Sequence, residues 1–496
     1  MTENRSNHRP KPTGHGPTGT ARIPTPSSVA DRPWAELGEV LWLSFPIIIT
    51  MLSYTAMHFV DTMMIGHYGA SELAAIGPAT SFLFLIGSLL MGTISITSTF
   101  VGQSEGRGRK QDAARYAWQS VYLGAIWGIF AIALRPLSGP IFEWVGHDPG
   151  IRPLEASYFS YSLLRVPAIG IVYALSGFYQ ATKRPVIPML AALAGMALNI
   201  FLNYIFIFGA FGAPEMGIVG AALGTVLGSY GQAVLMFVAF LSGPTHREYG
   251  SRTALDIDLM KMRQTIRFGL PAGLTWCLEN ASWTIFLVRV IGALGPEALA
   301  AQNATMQILH LSFMPVVGLR IGIQAVVSQH IGQGDHDGAK RRGYRALIAG
   351  TGFMILMGIG FLVFRRDLIG LFSDQPDIIE LGSIMLIFGA IFQAFDAIFI
   401  MTCGALKGAG DTRFPMFVTV ASAWFLFLPL AFLLTITLDL GVAGAWLAMT
   451  LYLAATSIVM LVRFAGNAWK TIDIFEGEEK ADTIATSPDP NTVEGT

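Results

Sequence analysis

Three carboxylates stand inside apolar stretches of this chain: Asp61 in FVDTMMIG, Glu279 in GLTWCLEN and Asp396 in AIFQAFDAI. Placing a charge in the middle of a membrane helix costs about 2.5–3.5 kcal/mol, so such groups face a cavity or a partner and mark ion or substrate paths. A carboxylate so placed can ligate a hard cation such as Na⁺. It can also take up and release a proton, or attract a cationic substrate. The residue types alone leave these three uses open. A purely structural use is also open, in which each acid pairs with Arg165 or Arg320 and joins helices.

Neutral oxygen donors lie at matching spacing. Asn199 and Asn203, in MALNIFLNYIF, are four residues apart and share one helical face. Thr225, in GAALGTVLG, adds a hydroxyl. With Asp61 these form a candidate cation shell (Na⁺ ligands Asp61, Asn199 and Asn203); the same groups could instead serve as interhelical hydrogen bonds. Further on, Gln393 precedes Asp396 by three residues and shares its face. Trp276, Trp283, Phe392 and Phe395 flank the two later acids. Ring faces attract positive charge, so an aromatic wall beside an anion suits an amphipathic organic cation.

The elements that hold these residues are set by composition. Of 496 residues, 53% are hydrophobic and only 13% charged, about half the charged share of a soluble protein. Apolar segments long enough to span a bilayer recur near 41–65, 79–101, 116–134, 156–178, 186–208, 218–240, 268–291, 301–327, 346–364, 380–403, 415–437 and 442–464. They are continuous rather than alternating, which excludes outer-membrane strands. The expected fold is an all-α integral membrane protein of about twelve transmembrane helices. Glu279 then sits about 17 Å along its helix, near the midplane of a core about 30 Å thick.

Lys and Arg fall on one side. Arg107, Arg109, Lys110 and Arg115, then Lys183 and Arg184, then Arg247 through Arg267, then Lys340 through Arg345, then Lys407 and Arg413, all lie in loops of one polarity. The other side holds only Arg135, Arg152, Arg365 and Arg366. The bias predicts that the first side is cytoplasmic and that both termini lie there, in a multi-pass plasma (inner) membrane protein. Basic residues spread over short loops form no nucleic-acid patch. Cys277 and Cys403 lie in apolar runs with no disulfide or metal-ligand spacing.

The chain repeats itself. FVGQSEGRGRKQDAARYA is echoed by HIGQGDHDGAKRRGYRA, Gly217-Ile-Val-Gly-Ala-Ala by Gly441-Val-Ala-Gly-Ala-Trp, Pro46 by Pro271 and Pro188 by Pro415. Six helices per half with the same polarity make two lobes related by a parallel pseudo-two-fold repeat, a transporter architecture with its site between the halves. The expected organisation is a disordered cytoplasmic tail (1–33), an N-lobe (34–241), a protease-accessible cytoplasmic linker (242–267), a C-lobe (268–466) and an acidic tail (467–496). No HExxH spacing or Gly-rich phosphate loop points to an enzyme, and no selectivity-filter segment to a channel.

With Phe59-Val60-Asp61-Thr62, then HYGASELAAIG and the GQ-rich loops, residues 36–465 resemble the multidrug and toxic compound extrusion (MATE) family, in its NorM-like branch. The resemblance implies acids at three helix positions, matched by Asp61, Glu279 and Asp396, and a first-lobe cation site matched by Asn199, Asn203 and Thr225. Some relatives carry Asp where this chain has Asn203, and often Tyr where it has Phe392. The implied function is efflux of cationic amphipathic compounds in exchange for Na⁺ or H⁺, with no cofactor and by a monomer among membrane lipids. Trp276, Glu279, Phe392, Gln393 and Asp396 would contact substrate; Asp61, Asn199, Asn203, Thr225, Glu279 and Asp396 would couple the ion. The oxygen-rich set favours Na⁺. The alternative within the superfamily, a lipid-linked oligosaccharide flippase, wants a cationic cavity for its pyrophosphate.

Overall fold

The computed structural model describes residues 33–476; of the expected tails, only residue 33 and residues 467–476 fall within it. All regular structure among the described residues is helical. Twelve helices are long and apolar enough to span a membrane: α1 (Ala35–Tyr68), α2 (Ala70–Gly106), α3 (Lys110–Val145), α4 (Arg152–Ala181), α5 (Val186–Phe208), α6 (Gly217–Phe240), α7 (Leu259–Leu294), α8 (Pro296–Gly332), α9 (His336–Val363), α10 (Pro376–Gly408), α11 (Arg413–Thr437) and α12 (Gly441–Ala465). Most are longer than the apolar runs, because polar turns continue the helix past its hydrophobic part; α5 coincides with its run.

Each half has its own core. Phe100, Tyr116, Phe178 and Phe240 anchor that of α1–α6; Phe286, Phe427, Trp446 and Tyr452 anchor that of α7–α12. The duplication extends to local devices: the Thr50 hydroxyl donates to Pro46 O at 2.9 Å in α1, and the Thr275 hydroxyl to Pro271 O at 2.8 Å in α7. Bonds of this kind bend a helix, so the first helix of each lobe is shaped alike.

The lobes meet through α1 on α8, α7 on α2, and α2 on α8, the pairing a two-fold relation requires. Their closest approaches fall in the halves of these helices nearest Arg107, Lys183, Arg341 and Arg413, here termed the basic end. A Cβ on Gly92 would overlap Gly273, and one on Gly322 would overlap Ser44. Polar contacts seal the same end. Gln324 Nε2 donates to Ser95 O at 3.0 Å, Thr99 Oγ1 to Lys407 O at 2.9 Å, and Lys407 Nζ to Ser95 Oγ. Glu39 of α1 takes Lys183 of the first lobe at 2.7 Å and Arg342 of the second at 2.9 Å.

The stretch between the lobes is more ordered than a tether. Residues 259–267 belong to α7, whose start is capped by Asp258 accepting from Met260 N and Lys261 N. Gly243–Tyr249 is a short helix. The remaining residues are pinned to α3: Trp118 donates to Ser251 O at 2.7 Å, and Tyr122 to Leu255 O at 2.7 Å. Ser251 and Ala254 are fully buried, whereas Arg252, Thr253, Leu255, Asp256 and Ile257 are exposed, so the segment is anchored to α3 and still presents an outer edge to solvent. Nearby, the hydrogen bond from Lys110, at 2.8 Å, and the charge of Arg184 hold the Glu248 carboxyl below its usual range.

The first residues expected in the C-terminal tail instead form a strap. Trp469 is buried in the second lobe against Phe464 (5.6 Å between ring centres). Six residues on, Phe475 is buried in the first lobe, 5.9 Å from the rings of both Phe100 and Tyr116 and under the Arg107 guanidinium at 4.3 Å. Arg107 also pairs with Asp473 at 3.2 Å. Truncating a buried Phe costs about 3–5 kcal/mol. Phe475→Ala is therefore expected to lower the melting temperature of the detergent-solubilised protein by several degrees; a change no larger than that of an exposed control such as Phe417→Ala would show that the strap bears no load.

Candidate functional site

The predicted residues gather into two centres, one per lobe. In the first lobe, α5 and α6 are packed by glycines. A Cβ on Gly224 would overlap Asn203 Oδ1, and one on Gly228 would stand 2.7 Å from Asn199 Cβ. The two asparagines can face α1 only because those positions of α6 are empty. Both are fully buried. Asn203 Nδ2 donates to Asp61 Oδ1 at 2.6 Å, and Asn199 Nδ2 to Thr225 Oγ1 at 3.1 Å. The Thr225 hydroxyl is 3.3 Å from Asp61 Oδ2 and 2.9 Å from Ala221 O, with one proton to give to either. The amide carbonyl oxygens of Asn199 and Asn203 are buried and accept no hydrogen bond.

A small cavity of about 30 Å³ opens beside Asp61, lined also by His58, Thr80, Tyr158, Arg165 and Thr225. It has room for a water or a dehydrated ion. Arg165 is held by its Nε donating to Ser229 Oγ at 2.9 Å, and it makes no ion pair with Asp61. The pairing of acids with Arg165 or Arg320 considered from sequence is not formed: among the described residues, none of Asp61, Glu279 and Asp396 has a basic side chain within 4.0 Å.

In the second lobe, a cavity of about 650 Å³ takes in Glu279 of α7 and Asp396 of α10 together with Trp276, Phe392 and Gln393. Gln393 Nε2 donates to Ser312 Oγ at 2.7 Å, which leaves its carbonyl buried and free to accept. Phe392 leans on Trp446 (5.9 Å), and Trp446 is fixed by donating to Gln302 Oε1 at 2.9 Å. Trp283 lines the cavity as well; Phe395 packs into the second-lobe core instead. Met51 of α1 and Phe84 of α2 reach the cavity from the first lobe.

The structure puts Asp61 in one chamber and Glu279 with Asp396 in another, along the division between lobes read from sequence. Sequence reasoning missed the widened turns Phe286–Ile291, Ala423–Phe427 and Leu433–Thr437. The first two meet at Phe286 and Phe427, 4.9 Å apart, and Trp424 of α11 donates to Leu278 O beside Glu279 at 3.2 Å. Turns of this kind are frequent at functional sites. Their only sequence signal is Pro429, lying between the two in α11. His310 and Tyr452 in the cavity wall were likewise missed. Among the described residues, no group of three or more His, Cys, Asp or Glu side chains could hold a metal ion.

The same architecture is found in solved structures. One titled "eukaryotic MATE transporter AtDTX14" superposes with a TM-score of 0.80 at 19% identity, covering 91% of this chain and all of that one. The outward-facing conformation of a multidrug resistance MATE family transporter of the MOP superfamily gives 0.80 at 21% identity, over 88% of this chain and 97% of that one. In sequence, the probable multidrug resistance protein NorM of Thermotoga maritima is 28% identical over 87% of this chain and 93% of its own length. The multidrug resistance protein MdtK of Edwardsiella ictaluri is 26% identical over 87% and 95%. The MatE family profile matches twice, over residues 46–205 and 271–433, once in each lobe. With both lobes matched and the NorM proteins aligned along nearly their whole length, this chain belongs to the MatE family, in its NorM-like branch.

Proposed function

We propose that the protein is a secondary active efflux transporter that exports cationic amphipathic compounds in exchange for an inward cation, Na⁺ in preference to H⁺. The observation that carries this reading is the pair of carboxylates, Glu279 and Asp396, facing a large aromatic-walled cavity with no basic partner in ion-pair range among the described residues. An organic cation entering there meets charge and ring faces together. The multidrug resistance names of the NorM and MdtK relatives support multidrug efflux.

The first-lobe chamber supports the choice of ion. A dehydrated cation needs several oxygen ligands and hard cations prefer oxygen, whereas a proton needs one acceptor. Asp61, Asn199, Asn203 and Thr225 supply five side-chain oxygens, two of them from the carboxylate. Turned half-way about its terminal torsion, each amide would offer its donor-free carbonyl in place of its NH₂ group. A carbonyl set against the Asp61 carboxylate repels it unless a cation lies between them, so amide orientation and ion occupancy are linked.

Transport then follows from rocking of the two lobes about the cavity between them. The basic end is cytoplasmic on this reading, in the inner membrane, and the state described here is closed on that side. The flippase alternative has less support, since acids occupy the middle of the cavity. The test is dye efflux from reconstituted vesicles with Na⁺ and proton gradients imposed separately. A cationic dye should leave faster under an inward Na⁺ gradient at fixed pH. Equal rates with and without Na⁺, and a response to a pH step alone, would replace Na⁺ with H⁺.

A further inference from the structure

The strap that follows α12 alternates between the lobes. Lys470 pairs with Asp337 of α9 at 2.8 Å, whereas Asp473 pairs with Arg107, just beyond α2, at 3.2 Å. The alternation is sharpest at its end. Ile474 lies on the α10–α11 loop, where Gly410 (φ 89°) has no side chain and a Cβ would stand 2.4 Å from Ile474 Cγ2. The next residue, Phe475, fills the first-lobe pocket of Phe100 and Tyr116. Both Ile474 and Phe475 are 2% exposed. Asp473 Oδ1 accepts from Phe475 N at 3.0 Å, which fixes the turn that sends neighbouring side chains to different lobes.

Adjacent residues have Cα atoms about 3.8 Å apart, so this pair has no slack. If the lobes part at the basic end, Ile474 or Phe475 must give up its seat. Trp469 and Phe475, by contrast, are joined by enough chain to reach ~20 Å when extended, so Trp469 alone would restrain little. A contact made in only one of two states favours that state by its whole free energy; one made in both favours neither. We propose that Ile474 and Phe475 form a latch that seats only while the basic end is closed. It biases the lobes toward the state described here, and each inward opening must release it. This inference rests on the reading that the lobes rock about the cavity.

The test places a reporter cysteine in the seam, Ser328→Cys, with Cys277→Ser and Cys403→Ser removing the native thiols. Ser328 of α8 is fully buried, its hydroxyl 3.4 Å from Ser98 O of α2. A water-soluble maleimide reaches that position only when the basic end opens. The control is Ser120→Cys, a fully buried position within the first lobe, where Ser120 bonds to Thr97 at 2.6 Å. In the full-length solubilised protein, Phe475→Ala should speed labelling of Ser328→Cys about tenfold or more and leave Ser120→Cys as slow as before. Phe475→Leu should restore most of the protection. Equal acceleration at both positions would make the strap a general stabiliser of the fold and overturn the latch. A measurable but unchanged rate at Ser328→Cys would overturn the latch and leave the rocking intact. Vesicle efflux separates this from the broader reading. If no cationic dye is exported while labelling responds as expected, the efflux reading fails and the latch stands. If dye is exported while Ser328→Cys is never labelled, with or without Phe475, the lobes do not part there and both rocking and latch fail.

Discussion

Asp396→Asn is expected to cut gradient-driven efflux of a cationic dye by about a hundredfold, while the protein still inserts and elutes as a monodisperse species. Asp396 lines the second-lobe cavity near the middle of α10 and is 9% exposed. Removing one partner of a desolvated charge pair costs about 2–5 kcal/mol, enough for that drop. The fold should survive, because a neutral amide is cheaper to bury in a membrane helix than a carboxylate. Glu279→Gln should act in the same direction, but selectively: binding of cationic dyes should weaken more than binding of neutral ones of similar shape. Efflux at the wild-type rate in Asp396→Asn, at equal expression, would make that acid structural.

The second large effect concerns the first-lobe chamber. Gly224→Ala should abolish ion coupling although it touches no charge. Its methyl group would occupy the place of the Asn203 carbonyl, and α5 would have to move away from α6. Overpacking of this kind costs about 1–3 kcal/mol, and it separates Asn203 from Asp61, now 2.6 Å apart. Dye binding in the second-lobe cavity should persist in that variant, while the response of efflux to an ion gradient disappears. Retained ion dependence would show that the asparagine face of α5 is not part of the coupling site.

Much of this was legible in the sequence. Twelve apolar runs, the loop charges and the echo of Pro46 in Pro271 give the spans and the duplication, because bilayer thickness and backbone hydrogen bonding leave a chain few alternatives. The buried acids were legible for a related reason: a charge inside an apolar helix has no cheap explanation. What sequence could not supply was which helices face one another. The amides near Asp61 and the aromatics near Asp396 were legible as neighbours in sequence or spacing, but only packing gives the distances that join Asn203 to Asp61 and open a cavity beside Asp396. Arg320 was visible as a possible partner for an acid, but that it stays beyond ion-pair distance of Asp61, Glu279 and Asp396 is a fact of three-dimensional packing. The strap was hidden because Trp469 and the short apolar group Ile472, Ile474 and Phe475 sit in a polar stretch. No periodicity marks them, and their burial depends on a surface built from both lobes.

The central claim is that an ion in one lobe and a substrate in the other compete through the state of the whole protein, although their chambers are separate. Antiport requires this, because an ion that binds both states equally can drive nothing, and the coupling must be reciprocal. The most direct measurement is the equilibrium affinity of a cationic dye for the solubilised protein as Na⁺ is raised at fixed pH and ionic strength, in the wild type and in Asp61→Asn. The account predicts that Na⁺ weakens dye binding in the wild type by about tenfold, within the usual range of such couplings, and has no effect in Asp61→Asn. A dye affinity indifferent to Na⁺ in the wild type, or equally sensitive in both proteins, would contradict it.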